Sequence, residues 1–287
     1  MSHPTEEQPQ PAFRLHRRFD RMARLVGEPA MARIHRAHVM VVGLGGVGSH
    51  AAEALLRSGV GTITLVDFDL VCVTNTNRQV QAMRGTIGKP KANVLAERLR
   101  LINPHATVRA VPLFYEARIA DQLLGGRRRP DFVVDAIDNV TAKCHLLTTC
   151  RARNIPIVCC TGAAGRIDPT AVRVDDLADT RIDPLAQSVR KILRRKHDFP
   201  RKGAFGIPAV YSVEHLLPPQ VLGYDKGEGF TCVCPGGEND RHDCEKRSVI
   251  WGTAGFVTGV FGMTAASVVI RSLTQEDIDA LKGRDGE

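Results

Sequence analysis

The chain has 287 residues, of which 43% are hydrophobic and 24% charged, the composition of a globular protein with a sizeable core. That excludes a wholly disordered, collagen-like or coiled-coil chain. Lys and Arg number 39 against 31 Asp and Glu, and the net charge of +8 suits either a polyanionic partner or a basic soluble enzyme.

Residues 1–12 are polar and proline-containing and read as a disordered tail, with no apolar signal segment. Eight cysteines lie mostly inside apolar runs, which predicts free thiols in a reducing cytoplasm. Residues 13–34 read as a basic helix. Residues 37–42 are a short buried strand, stopped by Gly43-Leu-Gly45-Gly46-Val-Gly48-Ser49. Helical spacing follows over 47–58, and 62–66 is a second buried strand ending in Asp67-Phe68-Asp69. Strand, glycine turn, helix, strand and acid make a βαβ unit. A helix over 90–101, strands at 108–113 and 131–137, a helix over 141–154 and a strand at 155–161 continue the alternation. The expected fold is therefore α/β: a doubly wound, mostly parallel, Rossmann-like sheet with a C-terminal α-rich extension. Beyond about residue 169 the rhythm breaks.

Gly43, Gly45 and Gly48 fit the dinucleotide fingerprint, in which backbone approaches phosphate closely and a helix start offers free N–H groups. Asp67 stands where a carboxylate accepts hydrogen bonds from ribose hydroxyls. This pattern alone does not separate NAD from ATP. Asn75, Arg78 and Lys91 do, because a dehydrogenase needs no cations clustered near a diphosphate, whereas cleavage of a triphosphate does. Lys89 reads as a solvated surface charge. Asp138 ends a later strand at the carboxyl edge of the sheet, a position suited to a carboxylate that faces phosphates through Mg²⁺.

Together, the glycine loop, Asp67-Phe-Asp69, Asn75-x-x-Arg78, Gly88-Lys-Pro-Lys91 and Asp135-Ala-Ile-Asp138-Asn139 resemble the ubiquitin-activating-type adenylating superfamily. The resemblance implies an ATP-binding core over 13–170. Gly43, Gly45, Gly46, Gly48 and Ser49 would hold ATP, with Asp67 and Asp69 on its ribose side. Asn75, Arg78 and Lys91 would meet the phosphates, and Asp138 would support Mg²⁺. Arg18-Phe-Asp-Arg21 is similar to an N-terminal motif whose last arginine reaches the other subunit's ATP, which implies a homodimer with Arg21 acting in trans.

Asp183-Pro-Leu-Ala186, Gly-Glu-Gly-Phe-Thr-Cys-Val-Cys-Pro and the glycine-rich 252–262 stretch resemble the threonylcarbamoyladenosine dehydratase branch. That branch implies tRNA as substrate. Its threonyl carboxylate would be activated as an acyl-adenylate and closed by a ureido nitrogen, with net loss of water. The alternative is adenylation of the C-terminal glycine of a small ubiquitin-like sulfur carrier. Residues 171–247 then read as a basic, cysteine-containing, substrate-facing insertion. Its Arg190, Arg194, Arg195 and Lys196 follow Asp183-Pro184, a helix cap and first-turn pair, and would bind RNA backbone. Cys232, Cys234 and Cys244 could be a structural set, a metal site with His242, or acceptors of sulfur from a cysteine desulfurase partner. Residues 248–273 read as a buried apolar helix rather than a membrane span, although 249–270 is uncharged and long enough to span or associate with a bilayer. Residues 274–287 read as a polar tail.

Overall fold

The computed structural model describes residues 14–126, 129–223 and 250–283. Cys232, Cys234, Cys244 and His242 lie outside them. The elements run α1 (Asp20–Arg36), β1 (His38–Val42), α2 (Gly46–Arg57), β2 (Thr62–Val66), α3 (Lys91–Ile102), β3 (Thr107–Val111), α4 (Ala117–Leu124), β4 (Phe132–Asp135), α5 (Val140–Ala152), β5 (Ile157–Cys160), β6 (Val172–Asp176), α6 (Pro184–Lys196), β7 (Pro208–Ser212) and α7 (Gly255–Gly283).

The described strands form one seven-stranded sheet in the order β3-β2-β1-β4-β5-β7-β6. All neighbours are parallel except β6, which runs antiparallel to β7 at the edge. Strands β1, β4 and β5 are buried along their whole length, as short apolar runs covered on both faces must be. Alternate residues serve opposite layers. Val39, Val41, Ile63, Leu65, Val134 and Val158 pack beneath α1, α2, α3 and α7. Met40, Val42, Val133, Ile157 and Cys159 pack against α4, α5 and α6. Chain order reverses between β1 and β4, which opens a crevice beyond the carboxyl ends of these strands, the usual ligand position in such sheets.

Three features depart from the sequence expectation. The first helix is bent at Gly27, whose φ of 82° belongs to the left-handed region, two residues before Pro29. In the described part of 171–247, β6 and β7 extend the same sheet, so this segment is built onto the nucleotide half. The apolar helix starts at Gly255 and continues to Gly283, through residues read as tail. Its polar end is held by Arg33 of α1, whose guanidinium pairs with Glu276 and Asp277.

By length and composition α7 could cross a membrane. Here Val257, Phe261, Ala265, Val269 and Ile270 close the core over α2. A Cβ on Gly262 would stand 2.5 Å from the carbonyl oxygen of Val47, so only glycine lets the two helices approach this far.

At the end of β4, Asp135 is fully buried with its Oδ2 2.7 Å from Nζ of Lys143 on α5, also fully buried. Asp135 Oδ1 accepts the Ile137 N–H and so shapes the turn that follows the strand. Burial drives the Asp135 carboxyl upward and Lys143 opposes it, while Asp135 holds the lysine charged against its own burial. Replacing Lys143 by Met leaves a buried carboxylate without its partner and is expected to cost about 3–5 kcal/mol. Asp135→Asn combined with Lys143→Met removes both charges and keeps an acceptor for Ile137. Urea unfolding should find the double variant more stable than Lys143→Met alone.

Candidate nucleotide site

β1 runs straight into the glycine loop. Gly43 has φ of 88° and donates its N–H to Val66 of β2, while Ala136 donates to Val42 on the other side. A Cβ on Gly48 would lie 1.8 Å from the Gly43 carbonyl oxygen, so the loop folds back on itself with no space for a side chain. Gly45 is the N-cap of α2, has no side-chain cap, and faces open space on its Cβ side. Gly46 opens the helix. The first-turn N–H groups of α2 therefore end at an open surface, as an anion site requires. Ser49, in the same turn, has its Oγ buried with no hydrogen-bond partner within the chain.

Asp67, at the end of β2, grips this loop. Its Oδ2 accepts the Leu44 N–H at 2.6 Å and its Oδ1 accepts the Asp69 N–H at 2.8 Å. Two of roughly four lone-pair positions on the carboxylate are thereby used. Gln81, which the sequence reading missed, is also buried and donates to the Leu44 carbonyl at 2.7 Å. A lone glutamine in a turn-rich stretch carries no pattern that could have flagged it.

Lys91 begins α3 and is buried, with its Nζ 2.8 Å from Oδ2 of Asp69. Burial works against its charge, but Asp67, Asp69 and Asp138 outweigh burial and hold the ammonium protonated. Burial raises the Asp67 carboxyl, with Lys91 pulling the other way. Lys91 is thus first the counter-ion of the loop's carboxylates, which the sequence did not reveal. Asn75 is buried in a 3-10 turn, and its Oδ1 accepts the Cys72 N–H at 3.0 Å. Arg78 is half-buried, with Nη1 donating to the Thr74 carbonyl at 2.8 Å and to Asn77 Oδ1 at 2.9 Å. Asp138 is exposed beyond β4, near enough to Lys91 to influence it. Lys89 is exposed, as expected.

Hence Gly43–Ser49, Asp67, Asp69, Lys91 and Asp138 converge at the carboxyl edge. Arg21 does not join them. The residue before α1, Phe19, packs on Gly59, beyond the far end of α2, about 18 Å of helix away from the glycine loop.

The cations of α6 divide in two. Asp183 caps the helix by accepting the Ala186 N–H at 2.7 Å, as expected. Arg190 bonds to Thr180 Oγ1, and Arg194 donates to the Pro200 carbonyl at 3.2 Å with its guanidinium over the Phe205 ring. These two arginines, read as an RNA surface, are therefore engaged with the protein itself. Lys191, Arg195 and Lys196 are exposed. Asp183 also pairs with Arg166 at 3.0 Å, both side chains being buried.

Among the described residues no group of three or more His, Cys, Asp or Glu could hold a metal ion. A magnesium ion here would need phosphate oxygens beside the Asp138 carboxylate, which is the usual way Mg²⁺ sits in nucleotide sites.

The chain is 43% identical over 263 residues to the tRNA threonylcarbamoyladenosine dehydratase of Escherichia coli K12, covering 89% of this chain and 93% of that protein. It is 40% identical to the Haemophilus influenzae enzyme of the same name, covering 90% and 94%. The crystal structure of the E. coli dehydratase in complex with ATP superposes with a TM-score of 0.76 at 40% identity, covering 90% of this chain and 94% of that one. The ThiF family model matches residues 19–284, from the last residue before α1 past the end of α7, and the chain belongs to the ThiF family.

Proposed function

We propose that this protein is an ATP-dependent tRNA threonylcarbamoyladenosine dehydratase. The observation that carries the reading is the reach of the likeness: it runs beyond the nucleotide half, through β6, α6, β7 and α7, to enzymes of that name. The site fits ATP. The uncapped start of α2 and the unpartnered Ser49 hydroxyl suit phosphate oxygens, and the remaining lone pairs of Asp67 suit ribose hydroxyls.

The threonyl carboxylate of the modified adenosine attacks the α-phosphorus of ATP, and the bond to pyrophosphate breaks. The product is an acyl-adenylate. A ureido nitrogen of the same substrate then attacks the acyl carbon and loses its proton, and AMP leaves with the carboxylate oxygen. Because the nucleophile belongs to the substrate, the protein's work is orientation and charge stabilisation. Arg78 supplies positive charge on the phosphate side. Lys91 keeps Asp67 and Asp69 in place and balances their charge. Asp138 would hold Mg²⁺, whose chemistry is to neutralise charge on the phosphates.

Arg21 acts from the second subunit of a homodimer. What supports this is its position at the opposite end of α2 from its own chain's glycine loop. The RNA backbone lies on the exposed cations Lys191, Arg195 and Lys196.

Arg78→Ala should lower ATP-dependent cyclisation about 10²–10³-fold while the far-UV circular dichroism stays that of the parent. Near-parental turnover on threonylcarbamoyladenosine-bearing tRNA would take Arg78 out of the mechanism.

Mixing Arg21→Ala with Arg78→Ala subunits tests the trans arrangement. Each protein alone should be nearly inactive, whereas a mixed dimer has one site with Arg78 of its own chain and Arg21 of the other intact. Re-equilibrated mixtures should recover activity, and a mixture no more active than its components excludes action in trans.

Reversing Lys191, Arg195 and Lys196 to Glu should weaken tRNA binding and flatten its salt dependence, by about 0.7–0.9 in log–log slope for each phosphate that is no longer neutralised. ATP binding should stay unchanged. Parental tRNA affinity and slope in a filter-binding salt series would place the RNA elsewhere.

A further inference from the structure

Gln81 lies three residues beyond Arg78, in the stretch between β2 and α3, and is fully buried. Its Nε2 donates to the Leu44 carbonyl at 2.7 Å and to Oε1 of Gln79, also buried, at 3.3 Å. Both hydrogens of the amide thus meet acceptors, and this fixes its orientation: turned over, its oxygen would face two other oxygens. Behind it, Thr86 Oγ1 donates to the Gln81 carbonyl at 2.8 Å and holds the backbone of the stretch in place.

On the glycine loop, Leu44 is gripped from both sides. Its N–H goes to Asp67 Oδ2 at 2.6 Å and its carbonyl to Gln81. The two bonds act on different peptide groups. Asp67 holds the one between Gly43 and Leu44, and Gln81 holds the one between Leu44 and Gly45. A trans peptide is planar, and its C=O and N–H point in opposite directions. No peptide bond among the described residues is cis. Turning the Leu44 carbonyl toward Gln81 therefore turns the Gly45 N–H away from it. Gly45 faces open space, and among the described residues its N–H has no acceptor.

We infer that Gln81 is a positioning residue for the phosphate loop: by holding the Leu44 carbonyl it aims the Gly45 N–H outward, as a donor to a nucleotide phosphate. A glycine has the freest backbone of any residue, so this direction has to be imposed from outside. The same bond ties the stretch that bears Arg78 to the loop, so the cation and the N–H keep a fixed relation. The inference rests on the ATP reading above.

The test compares Gln81→Met, which keeps the length and loses the donor, with Gln81→His, which keeps a donor at Nε2. Calorimetry with a non-hydrolysable ATP analogue should give about five- to tenfold weaker binding for Gln81→Met and binding within about twofold of the parent for Gln81→His, with parental tRNA affinity in both. Equal weakening in the two variants overturns the inference. So does parental affinity in Gln81→Met beside a lowered urea midpoint, since the side chain then only fills space. A second measurement uses the parent alone and stands even if Gln81→Met does not fold. With isotope-labelled glycine, and Gly45 assigned through Gly45→Ala, the Gly45 amide proton should move downfield on saturation with the analogue, as an N–H entering a charge-assisted bond does. A stationary Gly45 signal in a parent that binds the analogue refutes the inference and leaves the ATP reading standing. A parent that does not bind the analogue refutes the ATP reading, and the inference with it.

Discussion

Backbone crowding at the end of β1 governs the rest of the molecule. Gly43, Gly48 and the Ala136 turn come so close that a methyl group on Gly48 would overlap the Gly43 carbonyl, and one on Gly43 would overlap that of Ala136. This crowding fixes where α2 starts, and hence which N–H groups face the crevice. It also sets the distance between the β1 and β4 ends, the point at which the strand order reverses. The turn after β4 must then hold its shape against the loop, and the buried Asp135–Lys143 pair with the Ile137 N–H provides that rigidity.

Charge in the crevice is arranged around this frame. Two aspartates end β2, one of them buried and occupied with two backbone N–H groups. Such carboxylates would repel a polyanion. Lys91, buried beside them, cancels much of that repulsion. A lysine and an arginine thirteen residues apart in the sequence thus have different surroundings, because one faces carboxylates and the other faces the Thr74 carbonyl and the Asn77 side-chain oxygen.

Much of the fold was legible in the sequence because parallel strands buried on both faces appear as unbroken apolar runs, and because the glycine loop has little tolerance for other residues. The positions of Asp67, Lys91 and Asp138 at one edge followed from that topology. What stayed hidden depends on tertiary packing. Asp135 lies eight residues before Lys143, but the spacing does not say that both side chains are fully buried between the sheet and α5. The stripe of cations on α6 looked uniform, yet Phe205 and the Pro200 carbonyl, from the chain beyond the helix, draw Arg194 inward. Past residue 169 the sheet continues with short strands of mixed polarity. β6 is the antiparallel edge, half open to solvent, and so lacks the apolar run that identified the others.

The packing of α7 on α2 also bears on the order in which the chain can fold. The helix that completes the nucleotide loop's surroundings is synthesised about two hundred residues after the helix it covers. Until α7 arrives, the apolar side of α2 and the upper face of β1 and β4 lack their cover. Pairings so distant along the chain form late and slow folding. A chain interrupted before residue 255 would therefore hold every sequence motif of the nucleotide site and still expose a greasy flank in place of a finished pocket. The motifs are encoded early, but the site they form waits for a helix that is made about two hundred residues later.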